Sequence, residues 1–141
     1  MVVDEAARLS VANALEDYVE GRIGSRALNA VLVLGEKRDT VCYELYFALV
    51  DDFYSIWEDH ANSGKMALSA RQRRMIGRWV CLLKSREEWP LPSRFGKPWL
   101  AKLISELWQL ALEAAYRRSP LDNEFWPYDA KDEWQRRFNM E

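Results

Sequence analysis

Apolar residues recur at three- and four-residue steps along almost the whole chain, and no stretch alternates apolar and polar residues for long between turn residues. That pattern predicts helices and no sheet. A first helix is expected over residues 4–20, with Leu9, Ala12, Leu15 and Val19 on one stripe and Asp4 and Glu5 at the end that favours acids. Gly21 stops it. Gly24-Ser25 restarts the chain, Ser25 as N-cap, into a short helix over residues 26–34 that halts at Gly35.

The third predicted helix starts at Thr40 and runs to about residue 61. Val41, Leu45, Leu49, Phe53, Ile56 and Trp57 share one face, and Tyr43, Phe47, Val50 and Tyr54 widen it past half the circumference. Such a helix must be covered on two sides. A narrow acidic stripe remains, Glu44, Asp51 and Glu58, at seven-residue steps. The fourth helix opens on Ser69-Ala70-Arg71-Gln72, which fits a capping box, and runs to about residue 86. Three prolines, Pro90, Pro92 and Pro98, then forbid helix. The fifth, residues 98–118, is apolar on most sides and reads as a second central helix. Phe125, Trp126, Pro127 and Tyr128 begin an aromatic tail that ends in a short helix over residues 129–138. Together these elements predict an all-α, single-domain antiparallel bundle of about five helices over residues 1–141, with the tail packed back onto the bundle through Trp126 and Trp134.

Composition agrees with a globular chain: 49% of the 141 residues are hydrophobic and 30% charged. Cys42 and Cys81 both fall in apolar stretches and read as reduced core thiols. The N-terminus has acids where a signal peptide needs an apolar run, and the longest uncharged apolar stretch, residues 27–34, is far short of a span of ~20 residues. A cytoplasmic protein off the membrane is expected. One histidine, His60, leaves any Ser-His or Cys-His chemistry a single route. Glu58, Asp59 and His60 are adjacent and diverge by ~100° each on a helix, so they make a poor metal site. No cofactor and no metal are expected. Gly21-Arg22-Ile23-Gly24 matches a loop that clamps RNA backbone in KH domains, but the sheet that such a domain needs is missing.

Charge is what departs most from chance. Residues 36–62 carry seven acids and two bases, and residues 63–86 carry seven bases and no acid. Either helices three and four form a hairpin whose acids Asp51 and Glu58 face Arg71, Arg74 and Arg78, or the two stripes are separate poles for binding. The net charge of -2 disfavours a nucleic-acid partner for the basic stripe. Asp52 sits among Val41, Leu45, Ala48 and Ile56 on the helical wheel, which predicts a buried, hydrogen-bonded carboxylate or a site acid in a cleft.

Leu15-Glu16-Asp17-Tyr18-Val19-Glu20-Gly21-Arg22-Ile23-Gly24-Ser25-Arg26-Ala27-Leu28 resembles the helix–corner–helix start of small bacterial immunity proteins of the colicin D and contact-dependent inhibition type. The resemblance implies a compact helical protein that binds a cognate toxin through an acidic surface. The expected function is therefore a non-enzymatic protein-binding module. Glu44, Asp51, Asp52, Glu58 and Asp59 would dock a basic partner such as a toxin domain. Two alternatives stand beside it: a small-ligand or hydrolytic bundle using Asp52, and a scaffold subunit of a larger assembly joined through its tail.

Overall fold

The computed structural model describes residues 3–52, 59–91, 93, 95–116, 123–128 and 131–138, with the side chains of residues 51, 52, 65, 109 and 112–116 outside that set. The protein is all-α. Its helices are α1 (Glu5–Val19), α2 (Ser25–Glu36), α3 (Thr40–Asp52), α4 (Ala70–Lys84), α5 (Trp99–Tyr116) and α6 (Lys131–Phe138), with a 3-10 turn at Gly64–Met66 and no strand among the described residues. Two compact units divide the chain, Met1–Glu88 and Trp89–Glu141.

In the first unit α1 is the hub, packing along α4 and α2, while α3 lies chiefly against α2. Asp4 caps α1 by accepting from Ala7 N at 2.9 Å. That bond, aided by Arg38, lowers the Asp4 pKa against the opposing effect of burial. At the other end Gly21, at φ 76°, makes the left-handed turn, with Gly21 N donating to Tyr18 O and Arg22 N to Asp17 O. Gly21 and Gly24 thus serve a helix corner. The α4 capping box is formed as the sequence predicts, Ser69 and Gln72 each bonding the other's backbone.

The inward stripe of α1 differs from the expected one. Leu9 is exposed, and the buried line runs through Arg8, Val11, Ala12, Leu15 and Tyr18. The helix is rotated because Arg8, 1% exposed, makes a buried ion pair with Asp39, 0% exposed. Arg8 Nε donates to Asp39 Oδ2 at 2.8 Å, and Arg8 Nη1 donates to Ser85 O and Glu87 O at the end of α4. Asp39 Oδ2 also accepts from Asp4 N, and its Oδ1 accepts from Val41 N and Cys42 N. One carboxylate therefore caps α3, holds the start of α1 and neutralises the arginine that ties down the end of α4.

Gly35 does not halt α2. It lies one residue inside the helix, and a Cβ there would stand 2.7 Å from Val11 Cγ2. The missing side chain lets α1 and α2 approach. Cys42 beside it is buried, and its thiol is pushed up to about 12, first by burial and then by the Asp39 charge.

In the second unit the aromatic tail builds its own small core. Trp89 meets Trp126 edge-on at 5.0 Å, Tyr128 meets Trp134 at 5.8 Å, and Trp134 stacks on Phe138 at 4.1 Å. Trp126, Tyr128 and Trp134 are buried, as expected for such large apolar groups. Helix α5 reverses its expected role. Trp99, Leu100, Leu103, Ile104, Leu107, Trp108 and Leu110 are all exposed, Trp99 by 76% and Leu107 by 63%. Ser105 on the opposite side is buried, where Lys97 Nζ donates to its Oγ and the Oγ donates to Ser93 O. The polar side is turned inward and the apolar side outward.

Candidate functional site

The acids nominated for docking come from one stretch of chain, and the structure describes the side chains of two of them, Glu44 and Asp59. Glu44 is 3% exposed. It stands ~40° from Ala48 on the helical wheel, at the border of the buried arc formed by Val41, Leu45, Ala48 and Leu49, so it is no part of an exposed stripe. Asp51 and Asp52 occupy the last turn of α3, and their side chains, like all of Glu58, lie outside the described residues. The expected burial of Asp52 and the expected pairing of Asp51 or Glu58 with Arg71, Arg74 or Arg78 lie there too.

Asp59 and His60 are described, and neither is helical, so the third helix ends short of the predicted residue 61. The reason is a clasp onto the start of α2. Ser25 is the first helical residue rather than the cap, and Gly24 in the cap position brings no side chain of its own. Asp59 supplies one from across the fold, its Oδ1 accepting from Arg26 N at 3.1 Å. Ser25 N donates to His60 O at 2.8 Å, and His60 N donates to Ser25 Oγ at 3.0 Å. Asn62 continues the clasp, its Nδ2 donating to Val19 O and its Oδ1 accepting from Leu68 N. The exposed Asp59 carboxylate thus sits at the positive end of a helix dipole.

Gly24 is required by this approach. A Cβ at Gly24 would lie 2.6 Å from Asp59 Oδ1, so the carboxylate would have to shift. Gly24→Ala should push the carboxylate off the α2 terminus and lower stability by about 1 kcal/mol, the typical worth of an N-cap, read as a drop in the urea midpoint at constant slope. Asp59→Ala should lower it by a similar amount, and the double variant by little more than either alone. Full additivity of the two losses would show that the clasp does not link them.

His60 Nδ1 lies 3.3 Å from Tyr18 OH, and Ser25 Oγ receives the His60 main-chain N–H. Burial also raises the Tyr18 hydroxyl. The Cys42 thiol, held near 12, is no nucleophile at neutral pH. Among the described residues no three His, Cys, Asp or Glu side chains gather as a metal site, and no helix is long and apolar enough to cross a membrane.

The residues that sequence reasoning missed are Arg8 and Asp39. A signal was present for both. Arg8 shares a face with Val11, Ala12 and Leu15 at three-, four- and seven-residue spacing, and Asp39 precedes the third helix in a cap position. Set against protein-family models, curated proteins and solved structures, the chain matches none.

Proposed function

We propose that this protein is a non-enzymatic binding module of the bacterial cytoplasm, docking a basic protein partner through acids at the end of its third helix and in the segment that follows it, in the manner of an immunity protein. The observation that carries this reading is the packing of α4. It lies along α1, and α3 touches it little. The two bases of residues 63–86 whose ion pairs are described, Lys84 and Arg86, bind Glu16 and Glu5 of α1 rather than acids of the 36–62 segment. The packing of α4 along α1 rather than along α3 supports two charge poles. The docking set is then Asp51, Asp52, Glu58 and Asp59, without Glu44. Anionic side chains would stand in for the phosphates that a nucleic-acid-cutting partner prefers.

The test uses the basic product of an adjacent gene as probe. Association should slow at least about tenfold as salt rises, because exposed charges are screened beyond ~8–10 Å. Asp51→Lys with Glu58→Lys should abolish binding while circular dichroism stays unchanged. Adding Arg71→Glu, Arg74→Glu and Arg78→Glu separates the two roles. If the added swaps restore both a lost melt and lost binding, the acids are structural and the reading falls.

One observation favours a second reading, a subunit of a larger assembly. That reading first rested on the aromatic tail, but Trp126 and Trp134 are buried. The exposed apolar side of α5 takes the tail's place.

A further inference from the structure

Helix α5 is 18 residues long, and its two sides are chemically opposite. At ~100° per residue, Trp99, Leu103, Ile104, Leu107, Trp108 and Leu110 spread over one half of the wheel, and all are exposed. Ala101, Lys102, Ser105 and Glu106 take the other half and are less exposed than these. A surface helix normally shows the reverse. With aromatics worth ~150–250 Å² each when buried and Leu or Ile somewhat less, the exposed apolar side offers on the order of 700 Å². The largest apolar patch on a typical monomer is ~300–600 Å², and a stable interface buries ~800 Å² on each partner.

We propose that the occupant of this face is a second copy of the chain, its own α5 lying antiparallel across a two-fold axis near Ile104. The area of the face is that of one half of a standard dimer interface. Charge does not oppose it. A two-fold at the level of Ile104 sets Trp108 of one copy level with Leu100 of the other, twice by symmetry. The exposed half of α5 carries no charged residue, so a pairing of identical faces opposes no like charges, and a net charge of -2 per chain repels little. A lipid surface fits less well. Residues 89–141 carry eight bases and eight acids, with no excess of Lys and Arg to meet anionic headgroups. The proposal uses no residue of the acidic segment, so it stands or falls apart from the function proposed above.

Sedimentation equilibrium of the full chain tests it. At about 100 µM, above the µM–pM range that interfaces of this size span, the mass should be twice 16.6 kDa. Ile104→Glu should give a monomer with the same helix content. Leu107→Ala, a milder change on the same face, should weaken the dimer several-fold. A parent that stays monomeric overturns the proposal, whether its α5 face is free, turned toward lipid or covered by its own chain. A dimer that survives Ile104→Glu places the interface elsewhere and overturns it as well. If Ile104→Glu impairs folding, Leu107→Ala decides: a dimer as strong as the parent's rejects the pairing through α5.

Discussion

Asp39→Ala should cost about 3–5 kcal/mol, the loss expected when one partner of a buried ion pair is removed. Against the ~5–15 kcal/mol that holds a native domain together, this leaves the first unit marginal. Four donors converge on the Asp39 carboxylate, Asp4 N at 2.9 Å, Arg8 Nε at 2.8 Å, Val41 N at 2.8 Å and Cys42 N at 3.2 Å. Alanine strands all of them and leaves the Arg8 charge uncompensated at 1% exposure. Asp39→Asn should be almost as harmful despite its shape. Both carboxylate oxygens face N–H donors, so either orientation of the amide turns its NH2 toward a donor. Replacing both partners with apolar residues, Arg8→Met with Asp39→Leu, should recover part of the ion-pair loss. Full recovery is not expected, because the start of α3 and the carbonyls of Ser85 and Glu87 stay uncapped. Urea melts followed by circular dichroism read all three variants. An Asp39→Ala midpoint equal to the parent's would mean that the pair is not formed in solution.

Trp79→Ala should be the second severe loss, about 3–5 kcal/mol for emptying a buried Trp site. Trp79 is 0% exposed and is the largest fully buried side chain among the described residues. It lies on the face of α4 with Met75, Ile76, Val80, Leu82 and Leu83, in a helix that packs along α1. Trp99→Ala makes the contrast. At 76% exposure its truncation should leave the melt of a monomer within about 0.5 kcal/mol. A thermal melt of equal depth for both variants would contradict the placement of one of these rings.

The two tryptophans also mark how far the pattern of the chain carries. Helix class, the α4 capping box, the Gly21 corner and the buried line of Val41, Leu45 and Leu49 on α3 were legible because each depends on neighbours within a few residues. Helix α5 was not. Its periodicity gives a wide apolar face correctly, but periodicity says only that such a face is to be covered, not whether the chain covers it. The rotation of α1 was hidden for a similar reason. Leu9 fits the stripe better than Arg8 by residue type, and only a carboxylate 31 positions away makes Arg8 the inward residue. Glu44 failed by one step on the wheel, where an acidic stripe bordering a buried arc falls on either side of the line. The nominated docking acids were grouped by spacing on one continuous helix. The clasp of Asp59 and His60 onto α2 breaks that continuity, which the local sequence around Asp59 does not reveal.

The grip of Arg8 on Ser85 and Glu87 has a consequence for where the chain can be cut. Both carbonyls lie just before the boundary at Glu88 and Trp89, and the other partners of Arg8 and Asp39 are all in the first 42 residues. Everything that neutralises and caps this node is therefore encoded upstream of the junction. A piece ending at Glu88 carries the whole node with it. A piece ending only four residues earlier, where α4 itself stops at Lys84, loses both carbonyls that occupy the guanidinium. The excisable module is longer than its last helix, and its true terminus is set by an arginine in its first.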